Sequence, residues 1–304
     1  MKSHCIGLAM LAALSATAQP ASETPDRALQ AQVFLGSDSD GNQTLKTGVS
    51  GDWTYTSYDQ WSGVTVQDAR FSGDGWRREE GRLFLTGAGH AGEWRWQGSV
   101  GSNGHRLLGS GTIHSEDAFR KEFFVERDVL ETRQGVHNGW VQTYAGAALD
   151  LPFSERWNAT VLGGVQDFGV GDNLRTHLRA NLVYAFLPQQ GLSLQLRTRY
   201  YHDSHVREAD YYTPGDYRQA MGVLAWRRYI GGTQWYARAG LGRQRSGQED
   251  WRQARLLEGG VETPRWKQAW LRLDAGYSDM PAINGSSDSG YNYRFVQLEL
   301  RYAF

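Results

Sequence analysis

The sequence predicts an all-β chain, a transmembrane antiparallel up-and-down β-barrel of about sixteen strands, with fourteen or twelve as the alternatives. Three observations point there. Apolar and polar residues alternate with a period of two through most of the chain, which is the period of a strand and not of a helix. The connections between these runs alternate between short and long. The composition joins 12 Trp, 15 Tyr and 37 Gly to only 7 Pro, as interfacial aromatic girdles and many tight turns require. A soluble β-sandwich shares the alternation with its polar face outside. Loop lengths and the two chain ends separate the readings.

Lys2, the apolar residues 5–14 and Ala16-Thr17-Ala18 read as an export signal over residues 1–18, so that the mature chain starts at Gln19. The apolar stretch is too short to cross a bilayer as a helix. Cys5 is the only cysteine and lies inside the signal, so the mature chain is expected to hold itself together without disulfides. Residues 19–27 read as a short periplasmic lead-in, and 28–304 as one barrel without a linker. A net charge of −1 and the lack of a basic tail give no reason to expect nucleic acid.

Along the chain, Leu45, Val49, Trp53 and Tyr55 oppose Lys46, Ser50, Asp52 and Thr54. Alternation weakens between 61 and 133, and a strand at 92–101 is short for a tilted crossing. It returns at 174–186, where seven residues from Leu174 to Phe186 oppose Arg175, His177, Arg179 and Asn181. In 192–201, Leu192, Leu194, Leu196, Thr198 and Tyr200 oppose Ser193, Gln195, Arg197, Arg199 and Tyr201. Trp235, Ala237, Ala239 and Leu241 face away from Tyr236 and Arg238, and Leu271 and Leu273 away from Arg272 and Asp274. The final run sets Val296, Leu298, Leu300, Tyr302 and Phe304 against Gln297, Glu299 and Arg301. The polar faces carry ions and must be wet, so they are expected to line a lumen while the apolar faces meet lipid.

Short turns are expected near 57–60, 89–92, 115–118, 152–156, 187–191, 230–233 and 262–265. Longer polar loops are expected at 37–43, 73–81, 101–105, 134–139, 167–173, 202–216, 244–251 and 279–290. Short periplasmic turns and long extracellular loops are the outer-membrane pattern, and two periplasmic ends demand an even strand number. The expected location is the cell outer membrane of a Gram-negative bacterium, among outer-membrane lipid and lipopolysaccharide.

Two motifs invite chemistry. Residues 202–210 hold His202, Asp203, Ser204, His205, Glu208 and Asp210. A hydrolase triad needs such groups assembled in space, and a solvated loop is the plainer reading. Asp38-Ser39-Asp40-Gly41-Asn42 lacks the spacing and terminal Glu of a calcium loop, so a hairpin turn is expected there. No metal, phosphate or cofactor motif is found, and neither cofactor nor enzyme activity is expected.

The inward arginines carry more weight. Arg175, Arg179, Arg197 and Arg199 come from two adjacent strands with no acid on either inward face, and Arg238 follows nearby. A wet cavity of one sign attracts the opposite ion, as in anion-selective pores. Pairing of these arginines with carboxylates from loops or the far wall is the open alternative. Acids reappear at Asp274 and Glu299 beside Arg272 and Arg301.

Arg197-Thr198-Arg199-Tyr200-Tyr201 followed by Tyr211-Tyr212-Thr213-Pro214-Gly215-Asp216-Tyr217 resembles the barrel domains of exopolysaccharide-export porins of the poly-N-acetylglucosamine and cellulose type, and a smaller stand-alone barrel family, the YaiO type. The resemblance covers the C-terminal two-thirds. It implies a conduit for a sugar polymer, no catalytic residues, and a polysaccharide synthase complex as partner. Such exporters often carry a periplasmic helical-repeat scaffold; this chain has no room for one, so a separate chain is implied. The polymer path is then expected to pass Arg175, Arg179, Arg197, Arg199 and Arg238, with Tyr201, Tyr211, Tyr212 and Tyr217 at the extracellular mouth. Tyr302 and Phe304 resemble the terminal signal gripped by the barrel-assembly machinery. A surface receptor or adhesin is the rival function, and an outer-membrane hydrolase the less favoured one.

Overall fold

In the computed structural model, residues 25–206, 209–265, 267–279 and 291–304 are described. The expected signal, the start of the lead-in, Glu208 and most of the 279–290 loop lie outside them. The chain forms a closed barrel of sixteen strands in sequence order. The first eight are Ala28–Asp38 (β1), Gln43–Ser57 (β2), Gln60–Gly73 (β3), Trp76–Ala91 (β4), Trp94–Ser102 (β5), Leu107–Ser115 (β6), Lys121–Val129 (β7) and Val141–Pro152 (β8). Trp157–Asp167 (β9), Leu174–Leu187 (β10), Leu192–Asp203 (β11) and Asp216–Ile230 (β12) follow. Thr233–Ser246 (β13), Arg252–Glu262 (β14), Ala269–Ser278 (β15) and Tyr293–Ala303 (β16) complete the wall. One short helix, Arg133–Asn138 (α1), stands between β7 and β8.

Closure is antiparallel pairing of β1 with β16, from Ala28 opposite Ala303 to Asp38 opposite Tyr293. Beyond the strand ends, Arg27 donates its N–H to the Phe304 carbonyl at 3.2 Å and accepts from Phe304 at 2.9 Å. No edge is left unpaired, which is the condition for a sheet in hydrocarbon. Leu298, Leu300, Tyr302 and Phe304 are exposed on the outside, as are Leu178, Leu194, Leu196, Leu241 and Leu257. An outer face this apolar on a closed barrel is a lipid-facing one, and places the chain in the outer membrane.

The start of β1 and the end of β16 lie at the end that carries the turns 58–59, 92–93, 116–120, 153–156, 188–191, 231–232 and 263–268, the periplasmic end of such a barrel. The opposite, extracellular end carries the longest connections, 130–140, 204–215 and 279–292. The expected strand number holds, and the longest connections fall at one end, although the extracellular connection between β3 and β4 is as short as any periplasmic turn.

Two local expectations fail, at 73–81 and at Tyr55. The 73–81 loop is a two-residue turn at Asp74-Gly75, with Gly75 at φ 70°, after which β4 starts at Trp76. Charges on the upper part of β4 read as a loop, but Arg77 and Glu79 pair with each other on its outer face. The short strand in the weak region is real: β5 has nine residues, as do β6 and β7. Tyr55 does not share the outer face of Val49 and Trp53. A bulge between Asp52 and Thr54 shifts the register, places Tyr55 opposite Trp61, and turns both rings inward, each 8% exposed.

Inside, rings on one strand lie over glycines on the next. A Cβ on Gly146 of β8 would stand 2.6 Å from the Phe124 ring and 2.6 Å from the Gly163 carbonyl. One on Gly164 of β9 would stand 2.9 Å from the Tyr144 ring. Because the backbone carbonyl cannot move aside, Gly146→Val is expected to cost about 1–3 kcal/mol by overpacking, read as a lower midpoint of the heat-induced shift in gel migration. Phe304 is half exposed and stacked on Tyr302 at 6.3 Å, so deleting it removes little packing. If it is the assembly signal, the deletion should reduce folded protein in the membrane while leaving the midpoint of the folded fraction nearly unchanged.

Candidate functional site

A cavity of about 540 Å³ lies inside the barrel against β1 to β7 and the last two strands. At mid-height its wall is neutral and hydrogen-bonding, with Gln30, Gln32, Ser50, Thr65, Gln97 and Ser110. These are the inward faces of alternating strands, and the adjoining hydroxyls are paired: Ser50 and Thr65 lie 2.7 Å apart. At the periplasmic end the wall turns aromatic, with Tyr55, Tyr58, Trp61 and Trp270. The indole N–H of Trp61 donates to the Tyr58 carbonyl at 3.0 Å, and that of Trp270 to Glu262 at 3.2 Å. Arg301 lies 4.4 Å over the Trp61 ring and Arg265 4.8 Å over the Tyr58 ring. Cation–π geometry of this kind fixes the rings in place along the wall.

The charges of the cavity are largely matched. Lys46 meets Asp128 at 2.8 Å and Glu131 at 2.6 Å, and Arg82 meets Asp128 at 3.0 Å as well as Glu80. Arg272 pairs with Asp274 at 2.6 Å, and Arg301 approaches Asp52 at 3.8 Å. Acids from the 61–133 strands therefore do face the lumen.

None of the five expected arginines lines this cavity. They stand on the opposite wall, and their inward faces are not free of acid. Arg175 is buried in a bidentate pair with Asp203, 2.8 and 3.2 Å, and also donates to the Tyr212 carbonyl. Asp203 belongs to a segment that reads as loop, yet β11 runs to it and makes it the last inward residue of that strand. Arg238 and Arg197 share Glu258 of β14 at 3.3 and 3.9 Å. Arg179 and Arg199 are direct cross-strand partners, and among the described residues no carboxylate forms an ion pair with either.

Tyr201, Tyr211, Tyr212 and Tyr217 do gather at the extracellular end, but as buried packing, between 1% and 7% exposed. Tyr201 stacks on Tyr217 at 4.6 Å, and Tyr211 on Phe168 at 4.2 Å. The Arg175 guanidinium lies 4.4 Å over Tyr201 and 4.9 Å over Phe168. Burial pushes the Tyr212 phenol above its ordinary value. An arc of rings continues along the inner wall from Tyr201 to His177 at 5.6 Å, Tyr144 at 4.9 Å and Phe124 at 5.1 Å.

Above this arc the loops form a lid. The 130–140 connection leaves β7 and crosses the mouth to β2, where Glu131 accepts from the Thr44 hydroxyl at 3.1 Å and pairs with Lys46. Val136 of α1 packs with Ala69, Phe71 and Leu108. Thr132 caps α1 by accepting from the Gly135 N–H. Asp210 of the 204–215 loop ties the two loops together, accepting from the Thr132 hydroxyl at 2.6 Å and the Gln134 N–H at 2.7 Å.

The hydrolase candidates are dispersed. His202 points outward to Asp216 at 3.1 Å, Asp203 points inward to Arg175, and Asp210 is held by the lid. Ser204 and His205 approach at 3.2 Å; among the described residues no carboxylate bonds the His205 ring, and Glu208 lies outside them.

No protein-family profile matches the sequence, and no curated protein matches it significantly. Among solved structures, a bacterial polysaccharide outer membrane secretin is similar with a TM-score of 0.65 and 13% identity, over 93% of this chain and 99% of the other. OmpT of Vibrio cholerae gives a TM-score of 0.44 at 13% identity, over 92% and 99%. An anion-selective porin from Comamonas acidovorans gives 0.39 at 12% identity, over 91% and 99%. The first likeness shows that the fold is one that an outer-membrane barrel adopts.

Removing one partner of a buried ion pair strands the other charge. Asp203→Ala is expected to destabilise the barrel by about 3–5 kcal/mol and to make the 204–215 loop open to protease in intact outer membranes. Equal protease resistance in the variant would show that the pair does not hold the lid.

Proposed function

We propose that the chain is a passive outer-membrane conduit for a neutral, hydroxyl-rich polysaccharide leaving the periplasm. The observation that carries this reading is the cavity wall: amide and hydroxyl side chains along its height, aromatic rings at its periplasmic end, and charges already paired. A polymer must slide without being trapped. Amides and hydroxyls offer sugar hydroxyls many interchangeable hydrogen bonds, and ring faces offer weak contacts tolerant of register. The fold likeness to a polysaccharide secretin supports the same reading. Pairing of Arg175, Arg197 and Arg238 with acids, and the acids around Lys46 and Arg82, weaken the case for an anionic polymer. Arg179 and Arg199 keep a local preference for carboxylate-bearing sugars in reserve on the far wall. In this reading the Tyr201–Tyr217 and Tyr211 contacts belong to the closed state of the exit, and the lid swings away during passage.

Titration of the purified barrel with soluble glycan oligomers tests the proposal. Neutral glucose-based oligomers should bind weakly and detectably by calorimetry, and anionic uronate oligomers more weakly. Trp61→Ala and Trp270→Ala should each reduce affinity about 3- to 10-fold, the scale of one ring contact. Failure of every oligomer to bind, or binding unaffected by both substitutions, would overturn it.

A further inference from the structure

A second site lies on the outside of the barrel. At the extracellular ends of β12 to β14, Arg218, Arg243, Arg245 and Arg255 all belong to the outward faces, beside Tyr200 of β11. Arg218 is the direct cross-strand partner of Arg245, and Arg243 lies opposite Ala220. Like charges placed opposite one another destabilise a sheet, so the cluster costs stability unless an anion bridges it. Arg255 is satisfied by Asp279 at 2.7 Å. The other three have no ion pair among the described residues; the neighbouring acid, Asp216 on the same face of β12 as Arg218, is engaged by Tyr200 at 2.8 Å and His202 at 3.1 Å. Arg245 donates to the Gly247 carbonyl at 3.2 Å, and Arg218 stands 6.0 Å over the Tyr200 ring.

Directly below the arginines, toward the membrane centre, the outer surface is hollowed into an apolar groove of about 880 Å³. Gly222 and Ala239 form its floor, and Leu194, Leu196, Leu241 and Leu257 rise around it. Barrel packing does not require the glycine: a Cβ there would meet only the Leu241 carbonyl, at 3.9 Å. A cationic rim over an apolar groove, at the extracellular ends of the strands, has the shape of one class of ligand.

We propose that this face binds a phosphorylated, multiply acylated glycolipid of the outer leaflet, with its phosphates on Arg218, Arg243 and Arg245 and an acyl chain in the Gly222 groove. Guanidinium forks match phosphate oxygens two at a time and relieve the mutual repulsion of the arginines. A second copy of this chain is a poorer occupant, because a two-fold contact would set the arginine cluster against itself.

The test uses the folded full chain in detergent, titrated with bisphosphorylated lipid A, with its dephosphorylated form and with phosphatidylglycerol. The midpoint of the heat-induced gel shift and bound phosphorus per chain are followed. Bisphosphorylated lipid A should raise the midpoint and bind at about one molecule per chain, while the dephosphorylated form should not. The combined Arg218→Gln, Arg243→Gln and Arg245→Gln variant should keep or exceed the lipid-free midpoint and lose affinity by about tenfold or more. Gly222→Leu, which fills the groove without touching the barrel interior, should also weaken binding. Equal stabilisation by the dephosphorylated lipid or by phosphatidylglycerol, unchanged binding in both variants, or a dimer that covers this face would overturn the proposal.

Discussion

In hydrocarbon there is no water to take up a broken backbone hydrogen bond, so the pairing of β1 with β16 is the contact on which the rest of this structure depends. Once those strands meet, every N–H and C=O of the wall can be satisfied by a neighbour. Side chains are then free to follow the demands of the two solvents. Period-two alternation delivers leucines to lipid and glutamines, hydroxyls and ions to the lumen with the same run of sequence. Closure also fixes the wall's circumference, and with it a lumen in which inward side chains of nearby strands and inward loops meet.

That meeting of side chains explains the electrostatics. Charges on an inward face have little water and find partners: Arg175 with Asp203, Arg197 and Arg238 with Glu258, Lys46 with Asp128 and Glu131. Several of these partners come from elsewhere in sequence, and two of them hold the lid as well as the wall. Glu131 anchors the 130–140 loop to β2, and Arg175 anchors the 204–215 loop through Asp203 and the Tyr212 carbonyl. The tyrosines packed over Arg175 tie these loops to the wall, so that moving the loops would expose rings and break ion pairs together.

Much of the wall is legible in the sequence because alternation is a local property. The runs at 192–201 and 296–304 place their residues as the period demands, as does 174–184, after which a register shift between Tyr184 and Leu187 breaks the period before Phe186. What fails to show is whatever depends on a partner far away in sequence or on one inserted residue. The bulge after Asp52 reverses Tyr55 without leaving a mark in the pattern. Asp203 looks like loop because it is polar and precedes a serine and a histidine, yet strand pairing carries it to Arg175. The cavity wall was hidden in the 61–133 stretch, where glycines and inward aromatics such as Trp61 and Phe84 blur the apolar face. The glycines under Phe124 and Tyr144 read as turn material and are in fact the floor on which those rings lie.

We propose that the conduit is shut at its extracellular mouth by loops locked through Asp210 and Glu131. Single-channel recording in planar bilayers tests it most directly. The wild-type barrel should dwell in a low-conductance state with rare openings, and the Glu131→Ala, Asp210→Ala double variant should dwell mostly in a larger one. A wild-type channel that is already open for most of the recording, with a variant indistinguishable from it, would contradict the account.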